Sequence, residues 1–336
     1  MEKRDAVKTA INHKTCASLP YAITFARDAY EAYGERLTAD FVTGWVKSEY
    51  EAGRLDMDEA VRLGIGNSVF AFGCPWWNWY DLPKSYSGYD APEKLPKTIG
   101  IGNYVGFTDR IKAIKDATGC YMLVTIWGSH FEKAYFARGI ENFLADMAGE
   151  PEFAKALLDM IIRKNIVMLE NIVNIPEIDG ILLGSDWGSQ KSLLMSPDVW
   201  HEMIEPGEQR EYNLIHEGGK DVWVHSCGNV EAIMGDLVRM GVDVLNPVQP
   251  ECMELTKIKR LHGDKLTFWG GISTQQTLPY GTPGQVRTEI AQVVGIMGKG
   301  GGYILSPAQS IQSDVPYENA CAMIDEAQKR YAAEVM

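Results

Sequence analysis

The sequence of 336 residues lacks several features that would place a protein in a special class. It has no apolar run close to the roughly 18 residues that a membrane-spanning helix needs. Its six cysteines are scattered and lack the dense spacing of a disulfide scaffold, which favours a reducing compartment such as the cytoplasm. The first residues, MEKRDAVKTAINHKT, indicate a polar helix and not a signal peptide. We therefore expect a cytoplasmic protein without a membrane segment.

Positive charge and nucleotide-binding motifs are also scarce. The 32 basic residues are outnumbered by 45 acidic ones, and the net charge of −13 argues against nucleic acid or an anionic membrane as the main partner. The chain contains no Gly-x-Gly-x-x-Gly signature, no phosphate-binding lysine loop and no nucleophile elbow. With 46% hydrophobic and 10% aromatic residues it can bury a large core, which excludes a disordered protein.

Short apolar segments alternate with longer amphipathic ones along the chain. Segments that are almost continuously apolar predict strands covered on both faces, as in a parallel sheet. They are LPYAITF (19–25), SVFAFG (68–73), YMLVTIW (121–127), GILLGS (180–185), DVWVHS (221–226), DVLNPV (243–248), KLTFWGG (265–271) and GYILSP (302–307). Helical spacing marks segments such as 150–173 and 196–219, the second of which begins with a serine N-cap and a proline.

This regular order predicts the fold class: α/β, a distorted (β/α)8 TIM barrel that forms a single domain over residues 1–336. An open, doubly wound sheet is the alternative. Residues 38–104, with CPWWNWYDLPKSYSGYDAPEKLP at their centre, depart from the pattern and are interpreted as a long aromatic-rich insertion in the N-terminal half.

In a barrel, the active site lies at the carboxyl ends of the strands. Polar side chains follow most of the predicted strands at that end, so we expect them to meet at one mouth. They are Arg27, Asp28, His130, Asp186, Gln190, His225, Cys227, Asn246, Gln249, Ser273, Gln275, Gln276, Ser306, Gln309 and Gln312.

The segment VWVHSCGN holds His225 and Cys227 two positions apart. Side chains at i and i+2 of a strand point to the same face, so both can reach one metal ion. Zinc binds imidazole nitrogen and thiolate sulfur readily, and a catalytic zinc takes three protein ligands with one open position. Asp186, His130 and Cys252 are all candidates for the third ligand. The alternative is a cysteine packed as a small apolar residue beside a histidine bonded to backbone.

Two further strand exits carry candidate catalytic groups. Asp186 in GSDWGSQ can be a base, a metal ligand or the cap of the next loop. His130 in TIWGSHF can donate, accept or titrate near neutral pH, or it can be an ordinary polar loop residue.

The segment CPWWNWYDLP concentrates aromatic side chains between residues 76 and 80. Such density can line a pocket for a planar ligand, anchor a loop to the barrel or form a partner surface. We predict that Trp76, Trp77 and Tyr80, together with Trp127 after another strand, contact the substrate.

The C-terminal half resembles the uroporphyrinogen decarboxylase superfamily, whose fold is a distorted (β/α)8 barrel. The resemblance covers residues from about 180 to 330 and depends on the order and spacing of VHSCGNVEAIMGDLVRMGVDVLNPVQP, KLTFWGGISTQQTLPYGTPGQVRTEI and GGGYILSPAQSIQSDVPYENACAMIDEA. True decarboxylases carry an Arg-Gln-Ala-Gly-Arg stretch after the first strand, which grips substrate carboxylates. The corresponding place here reads ITFARDAYEAYGE, where Arg27 is the one arginine. The decarboxylase activity is therefore disfavoured.

The other branch of the superfamily, the cobamide-dependent methyltransferases, resembles the chain more closely. Its coenzyme M enzymes bind zinc through a His-x-Cys pair, matching His225 and Cys227, and through a later cysteine. That cysteine is missing here, at or beside Gln309 in ILSPAQS. The resemblance still implies a corrinoid-dependent methyltransferase, in which zinc activates an ether or alcohol oxygen and the corrinoid is carried by a partner protein.

This interpretation assigns roles to the predicted residues. His225 and Cys227 are metal ligands, Asp186, His130 and Gln309 are catalytic, and Asn246 and Gln249 help to bind a small methylated substrate. O-demethylation of a methoxylated compound is the reaction considered first, and the family implies a homodimer. The alternatives are a tetrapyrrole decarboxylase of the uroporphyrinogen type and a non-catalytic corrinoid- or tetrapyrrole-binding protein.

Overall fold

The computed structural model describes residues 1–15, 18–74 and 104–332. The chain divides into two compact units. The first comprises Met1–Phe70, Ala113–Met122 and Asp243–Met336, and the second comprises Ala71–Lys112 and Leu123–Val242. The prediction of a single barrel domain stays a prediction.

The described residues form strands and helices in alternation. The strands are β1 (Val69–Gly73), β2 (Tyr121–Ile126), β3 (Gly180–Gly184), β4 (Asp221–His225), β5 (Val244–Val248), β6 (Thr267–Ile272) and β7 (Tyr303–Pro307). The helices are α1 (Lys3–Ile11), α2 (Arg27–Phe41), α3 (Gly44–Glu51), α4 (Met57–Gly64), α5 (Tyr104–Thr118), α6 (His130–Arg138), α7 (Ile140–Gly149), α8 (Pro151–Ile172), α9 (Pro197–Met203), α10 (Glu205–Glu217), α11 (Met234–Met240), α12 (Leu255–His262), α13 (Thr277–Tyr280), α14 (Pro283–Met297) and α15 (Tyr317–Ala332). No helix among them is long and apolar enough to cross a membrane.

Within each unit, neighbouring strands pair in parallel. In the second unit β3 lies between β2 and β4, with Gly184 opposite His225. In the first unit β6 lies between β5 and β7. Every residue of β3, β5, β6 and β7 is buried, as expected for parallel strands that are covered on both faces. The architecture is the predicted one, an α/β fold of the TIM-barrel type.

The first predicted strand, residues 19–25, is not formed as a regular strand. Tyr21 and Phe25 make isolated parallel bridges to Leu305 and Ile311. Asn67 takes the place of a neighbouring strand, because its side chain accepts from the Ile23 N–H at 2.9 Å and donates to the Ile23 carbonyl at 2.8 Å. The described chain therefore contains seven strands and not eight.

Two other expectations need correction. The helix predicted over 196–219 is two helices, α9 and α10, because Pro206 has no N–H to continue the first one. The long insertion predicted over 38–104 is shorter, since α2 ends at Phe41 and α3, α4 and β1 follow directly. Its aromatic centre, with Trp76, Trp77 and Tyr80, lies outside the described residues.

Candidate functional site

The site of the second unit begins where β3 and β4 end. His225 is the last residue of β4, Cys227 lies two positions beyond it, and Asp186 lies two positions beyond the end of β3. Because Gly184 and His225 are register partners, the two strands deliver these residues to one place. The i and i+2 alternation of a strand brings the imidazole and the thiol to the same side.

The three side chains are within contact distance of one another. The Cys227 N–H donates to Asp186 Oδ1 at 2.9 Å, and His225 Nε2 lies 3.5 Å from the same oxygen. Cys227 Sγ lies 3.4 Å from His225 Nε2. All three candidate ligand atoms fall within 4.8 Å of one another. The His225 side chain is 7% exposed and that of Asp186 is 32% exposed, so the site is open on the carboxylate side.

This donor set fits a zinc ion. A tetrahedral zinc with ligands at about 2.0–2.3 Å places its ligand atoms about 3.3–3.8 Å apart, which matches the two measured separations from His225 Nε2. One imidazole, one thiolate and one carboxylate would leave a fourth position for substrate or water. Among the three candidates for a third ligand, the structure brings Asp186 to the pair. The binding of a metal stays a prediction.

A glycine allows the two loops to approach. Gly228 has φ +80°, and a Cβ at this position would lie 2.5 Å from the Ser189 carbonyl oxygen. The next residue, Asn229, donates its N–H to that oxygen at 2.7 Å. A side chain at 228 would therefore separate the loop of Cys227 from the loop that carries Asp186.

Trp127 adds an aromatic surface beside these ligands. It follows β2, it is 52% exposed, and its ring lies 5.2 Å from the His225 ring at a 47° tilt. An exposed indole next to the candidate ligands can pack against the apolar part of a substrate. The predicted substrate-binding role of Trp127 is compatible with this position and stays a prediction.

Glu132 and Tyr135, which lie on α6, were not predicted as site residues from the sequence. Glu132 is buried, and its Oε1 accepts a hydrogen bond from the Tyr135 hydroxyl at 3.2 Å. Burial, and next the charge of Asp186, raise the pKa of Glu132 to about 7. One sequence pattern could have indicated them: a glutamate and a tyrosine three residues apart, in the segment that follows a predicted strand.

His130 lies in a different environment from the one expected. It is the first residue of α6, and its side chain is fully buried. Its Nε2 lies 3.2 Å from the Ile204 carbonyl oxygen, while its Nδ1 lies 3.2 Å from Glu208 Oε1 and 3.9 Å from Glu211 Oε2. Although burial opposes protonation, the hydrogen bond and charge of Glu208 raise the pKa of His130. Its catalytic role stays a prediction, but its surroundings are those of a buried ion pair.

The network around His130 extends through hydroxyl and amide groups. Ser129 and Ser185 donate to Glu208 Oε1 at 2.8 and 3.0 Å. Farther along, Asn165 donates to Glu211 Oε1 at 2.6 Å and accepts from Lys133 Nζ at 2.7 Å. Burial lowers the pKa of Lys133 to about 7 and raises that of Glu211 to about 7. This network fixes the residues that follow β2 and β3.

His201, Glu205 and Asp236 form another group of potential metal ligands, which we call the surface ion-pair cluster. His201 Nε2 lies 3.0 Å from Asp236 Oδ2, and Arg239 contacts both Glu205 and Asp236 at 2.9 and 3.0 Å. Because the guanidinium already occupies the space between these carboxylates, the cluster is a poor metal site.

Three further predicted site residues lie in the first unit. Asn246 is buried in β5 and donates to the Trp269 carbonyl at 3.2 Å, Gln249 is buried just after β5, and Gln309 is exposed two residues after β7. Gln309 Oε1 accepts from the Ser310 N–H at 3.3 Å. The catalytic role of Gln309 and the substrate contacts of Asn246 and Gln249 stay predictions.

Comparison with known proteins places these features in a family. The model of the family uroporphyrinogen decarboxylase (URO-D) matches residues 93–330, which is more than two thirds of the chain. No curated protein sequence matches the chain.

Three solved structures are similar to the chain to different degrees. A methyltransferase from Methanosarcina mazei aligns over 98% of this chain and 99% of its own, with a TM-score of 0.72 and 16% identity. A β-mannanase from the blue mussel Mytilus edulis aligns over 92% and 91%, with a TM-score of 0.45 and 11% identity. D-Psicose 3-epimerase with D-tagatose from Clostridium cellulolyticum H10 aligns over 86% and 91%, with a TM-score of 0.44 and 11% identity. At 16% identity, the similarity to the methyltransferase structure shows the fold alone.

Proposed function

Within the uroporphyrinogen decarboxylase family, to which the chain belongs, we propose that this protein is a methyltransferase that moves a methyl group from a small methylated substrate to a corrinoid. The observation that carries the proposal is the cluster of Asp186, His225 and Cys227 at the ends of β3 and β4. The overall similarity to a methyltransferase structure supports it at the level of fold.

The cluster offers one nitrogen, one sulfur and one oxygen ligand to a zinc ion. Zinc bound there would act as a Lewis acid on an ether or alcohol oxygen, which suits O-demethylation of a methoxylated compound. The chain's own residues do the remaining work: the Cys227 N–H orients the Asp186 carboxylate, and Trp127 supplies an apolar surface beside His225. The corrinoid would come from a partner protein that docks at this end of the strands.

The decarboxylase alternative is weakened by the surroundings of Arg27. This residue stands where the decarboxylases carry their arginine motif. Its guanidinium is almost fully exposed, and its Nε donates to Glu31 Oε1 at 2.9 Å on the same helix. A residue that grips substrate carboxylates needs a bidentate, partly desolvated arrangement, and this ion pair offers neither.

A single-turnover assay tests the proposed function. The zinc-loaded protein is mixed with cob(I)alamin and with methyl ethers, methanol or methylamines, and methylation is followed in the visible spectrum. We expect transfer from at least one donor and its loss in His225→Ala and Cys227→Ser. His201→Ala, in the surface ion-pair cluster, is the matched control and keeps the rate of the wild type. No transfer from any donor, or turnover of uroporphyrinogen, would overturn the proposal.

A further inference from the structure

Glu132 is a buried acid beside the candidate site, and one of its two carboxyl oxygens lacks a hydrogen bond within the described residues. Glu132 is 3% exposed. One carboxyl oxygen, Oε1, accepts from Tyr135, whereas the other, Oε2, has no hydrogen-bond partner within the described residues. An acid whose second oxygen is buried and unpaired is costly to ionise, so the group favours its protonated form.

The position of Oε2 is defined by a glycine of β3. A Cβ on Gly184 would lie 3.1 Å from Glu132 Oε2, so the absent side chain makes room for the carboxyl group. Gly184 is the register partner of His225 and precedes Asp186 by two residues. The Glu132 carboxyl therefore lies next to the strand ends that deliver the candidate ligands.

The surroundings of Tyr135 keep its hydroxyl protonated. Burial raises the pKa of Tyr135, and the charges of Glu132, Asp186 and Cys227 raise it further. The Tyr135 hydroxyl thus stays a hydrogen-bond donor at neutral pH and holds Glu132 Oε1. When the Glu132 carboxyl is protonated, its proton is therefore on Oε2, the oxygen that has no hydrogen-bond partner within the described residues.

A purely structural acid in this unit is arranged differently. Asp146 is as deeply buried as Glu132, but Arg138 binds both of its oxygens at 2.7 and 2.9 Å. The cation next to Glu132 in sequence, Lys133, is directed elsewhere and donates to Asn165 at 2.7 Å. Within the described part of the chain, the Glu132 carboxyl is held by one phenol and by no cation, an arrangement typical of a proton donor.

We propose that Glu132 is a catalytic acid that protonates the oxygen from which the methyl group departs, and that Tyr135 is its positioning residue. The inference rests on the proposed function. In the step, the reduced corrinoid donates the electron pair of the new bond to the methyl carbon. The carbon–oxygen bond breaks and its electron pair stays on oxygen. The proton moves from Glu132 to that oxygen, which leaves an alcohol or phenol and a carboxylate that solvent reprotonates.

The charged groups that face Glu132 have opposite effects on its pKa. Burial and the carboxylates of Asp186, after β3, and Glu208, on α10, raise its pKa, whereas Tyr135 and Lys133, on its own helix, lower it. The resulting pKa of about 7 leaves a large fraction of the acid protonated at neutral pH. A donor with this pKa is also strong enough to transfer its proton.

The test compares methyl donors that differ in their need for a proton. Demethylation of an unactivated aryl methyl ether releases a basic phenolate, which needs a proton. Demethylation of a nitro-substituted ether releases a phenolate that is stable as an anion. Glu132→Gln keeps the shape and removes the proton. We expect it to lose about 10²–10⁴-fold in single-turnover rate with the unactivated ether, and less than about tenfold with the activated one. The rate of the wild type should fall with the unactivated ether as pH rises above about 7, and the variant should lack this dependence.

Tyr135→Phe and Glu141→Gln complete the experiment. Tyr135→Phe keeps the acid but removes its hydroxyl contact, so we expect a smaller loss with the same preference for the activated ether. Glu141 is an exposed acid on α7, and its variant should match the wild type. If Glu132→Gln fails to fold, as judged by circular dichroism, Tyr135→Phe tests the proposal instead. The measured quantity is again the ratio of its single-turnover rates with the activated and the unactivated ether.

The outcomes separate the two proposals. A wild type that transfers no methyl group removes the proposed function, and this inference with it. A wild type that transfers methyl groups, with both ethers slowed equally or not at all in Glu132→Gln, retains the proposed function and overturns the role of Glu132.

Discussion

The Asp186 carboxylate accepts the backbone N–H of Cys227 at 2.9 Å, across 41 positions of sequence. The same oxygen lies 3.5 Å from His225 Nε2. One hydrogen bond therefore joins the loops that follow β3 and β4 and directs the carboxylate towards the imidazole. It also gives Asp186 two separable functions: a negatively charged ligand, and a brace for the loop of Cys227.

Zinc affinity should show whether Asp186 acts as a metal ligand together with His225 and Cys227. We expect one zinc per chain in the wild type, and in His225→Ala and Cys227→Ser a loss of at least about 100-fold in affinity, since even outer residues of zinc sites contribute about 10–100-fold. Asp186→Asn keeps an acceptor for the Cys227 N–H but loses the charge, so it should also bind zinc more weakly. Titration against a zinc indicator measures these affinities.

His201→Ala serves as the control for this titration. It removes a histidine from an exposed group of potential ligands that Arg239 already occupies. Its zinc stoichiometry should equal that of the wild type. A zinc that survives in both His225→Ala and Cys227→Ser would place the metal elsewhere.

Glu132 should make the folded state sensitive to pH. Burial raises its folded pKa to about 7, above its ordinary value of 4.5. A raised folded pKa means that the stabilising contribution is complete below about pH 4.5 and is lost as pH rises through about 7. The free energy of unfolding of the wild type should therefore fall, relative to that of Glu132→Gln, by up to about 3 kcal/mol between pH 4.5 and 7.

Urea unfolding at several pH values measures this difference, and Glu141→Gln is the control with no such trend. A constant difference between the wild type and Glu132→Gln across this pH range would show that the carboxyl titrates normally.

His130 should contribute to stability through Glu208. Replacing it with leucine removes the imidazole and leaves the Glu208 carboxylate buried without its partner. Breaking a buried ion pair in this way costs about 3–5 kcal/mol of unfolding free energy. The exposed His201→Ala should cost no more than about 1 kcal/mol. Denaturant unfolding of the two variants checks the contrast, and equal costs would mean that the Glu208 contact is weak.

Gly184 should not tolerate a methyl group. A Cβ there would lie 2.9 Å from the Gly128 nitrogen and 3.1 Å from Glu132 Oε2, so Gly184→Ala should destabilise the protein by about 1–3 kcal/mol. Gly235→Ala is the matched control, because Gly235 is an exposed residue of α11 and nothing lies within 4 Å of a Cβ built on it. The change should stabilise the helix by about 0.5–1 kcal/mol. Thermal unfolding measures both, and a neutral Gly184→Ala would mean that the carboxyl group can move aside.

Much of the local structure could be predicted because it depends on neighbouring residues. Seven of the eight apolar runs became strands with ends within two residues of those expected, as in β3 and β4. The His-x-Cys pair was predictable for the same reason, since alternation along a strand is a property of the backbone. The resemblance to the family added the expectation of a barrel, and the family match supports it.

The failures concern residues whose partners are distant in sequence. The segment 19–25 has strand composition, but Asn67, more than forty positions away, bonds to its backbone in place of a strand. His130 was predicted as a catalytic residue, with an ordinary polar loop residue as the alternative. Its burial beside Glu208 was not predicted, because Glu208 is 78 positions away and leaves no local pattern.

The sequence by itself determined the alternation of strands and helices and the shared direction of His225 and Cys227, since both follow from backbone geometry over a few residues. Only the tertiary structure decided that Asp186 joins this pair, that His130 is enclosed among acids, and that Glu132 keeps an unpaired oxygen beside Gly184. The physical reason is that burial and electrostatic partnership depend on which strand ends become neighbours. Packing of the whole chain sets that neighbourhood, and no short segment encodes it.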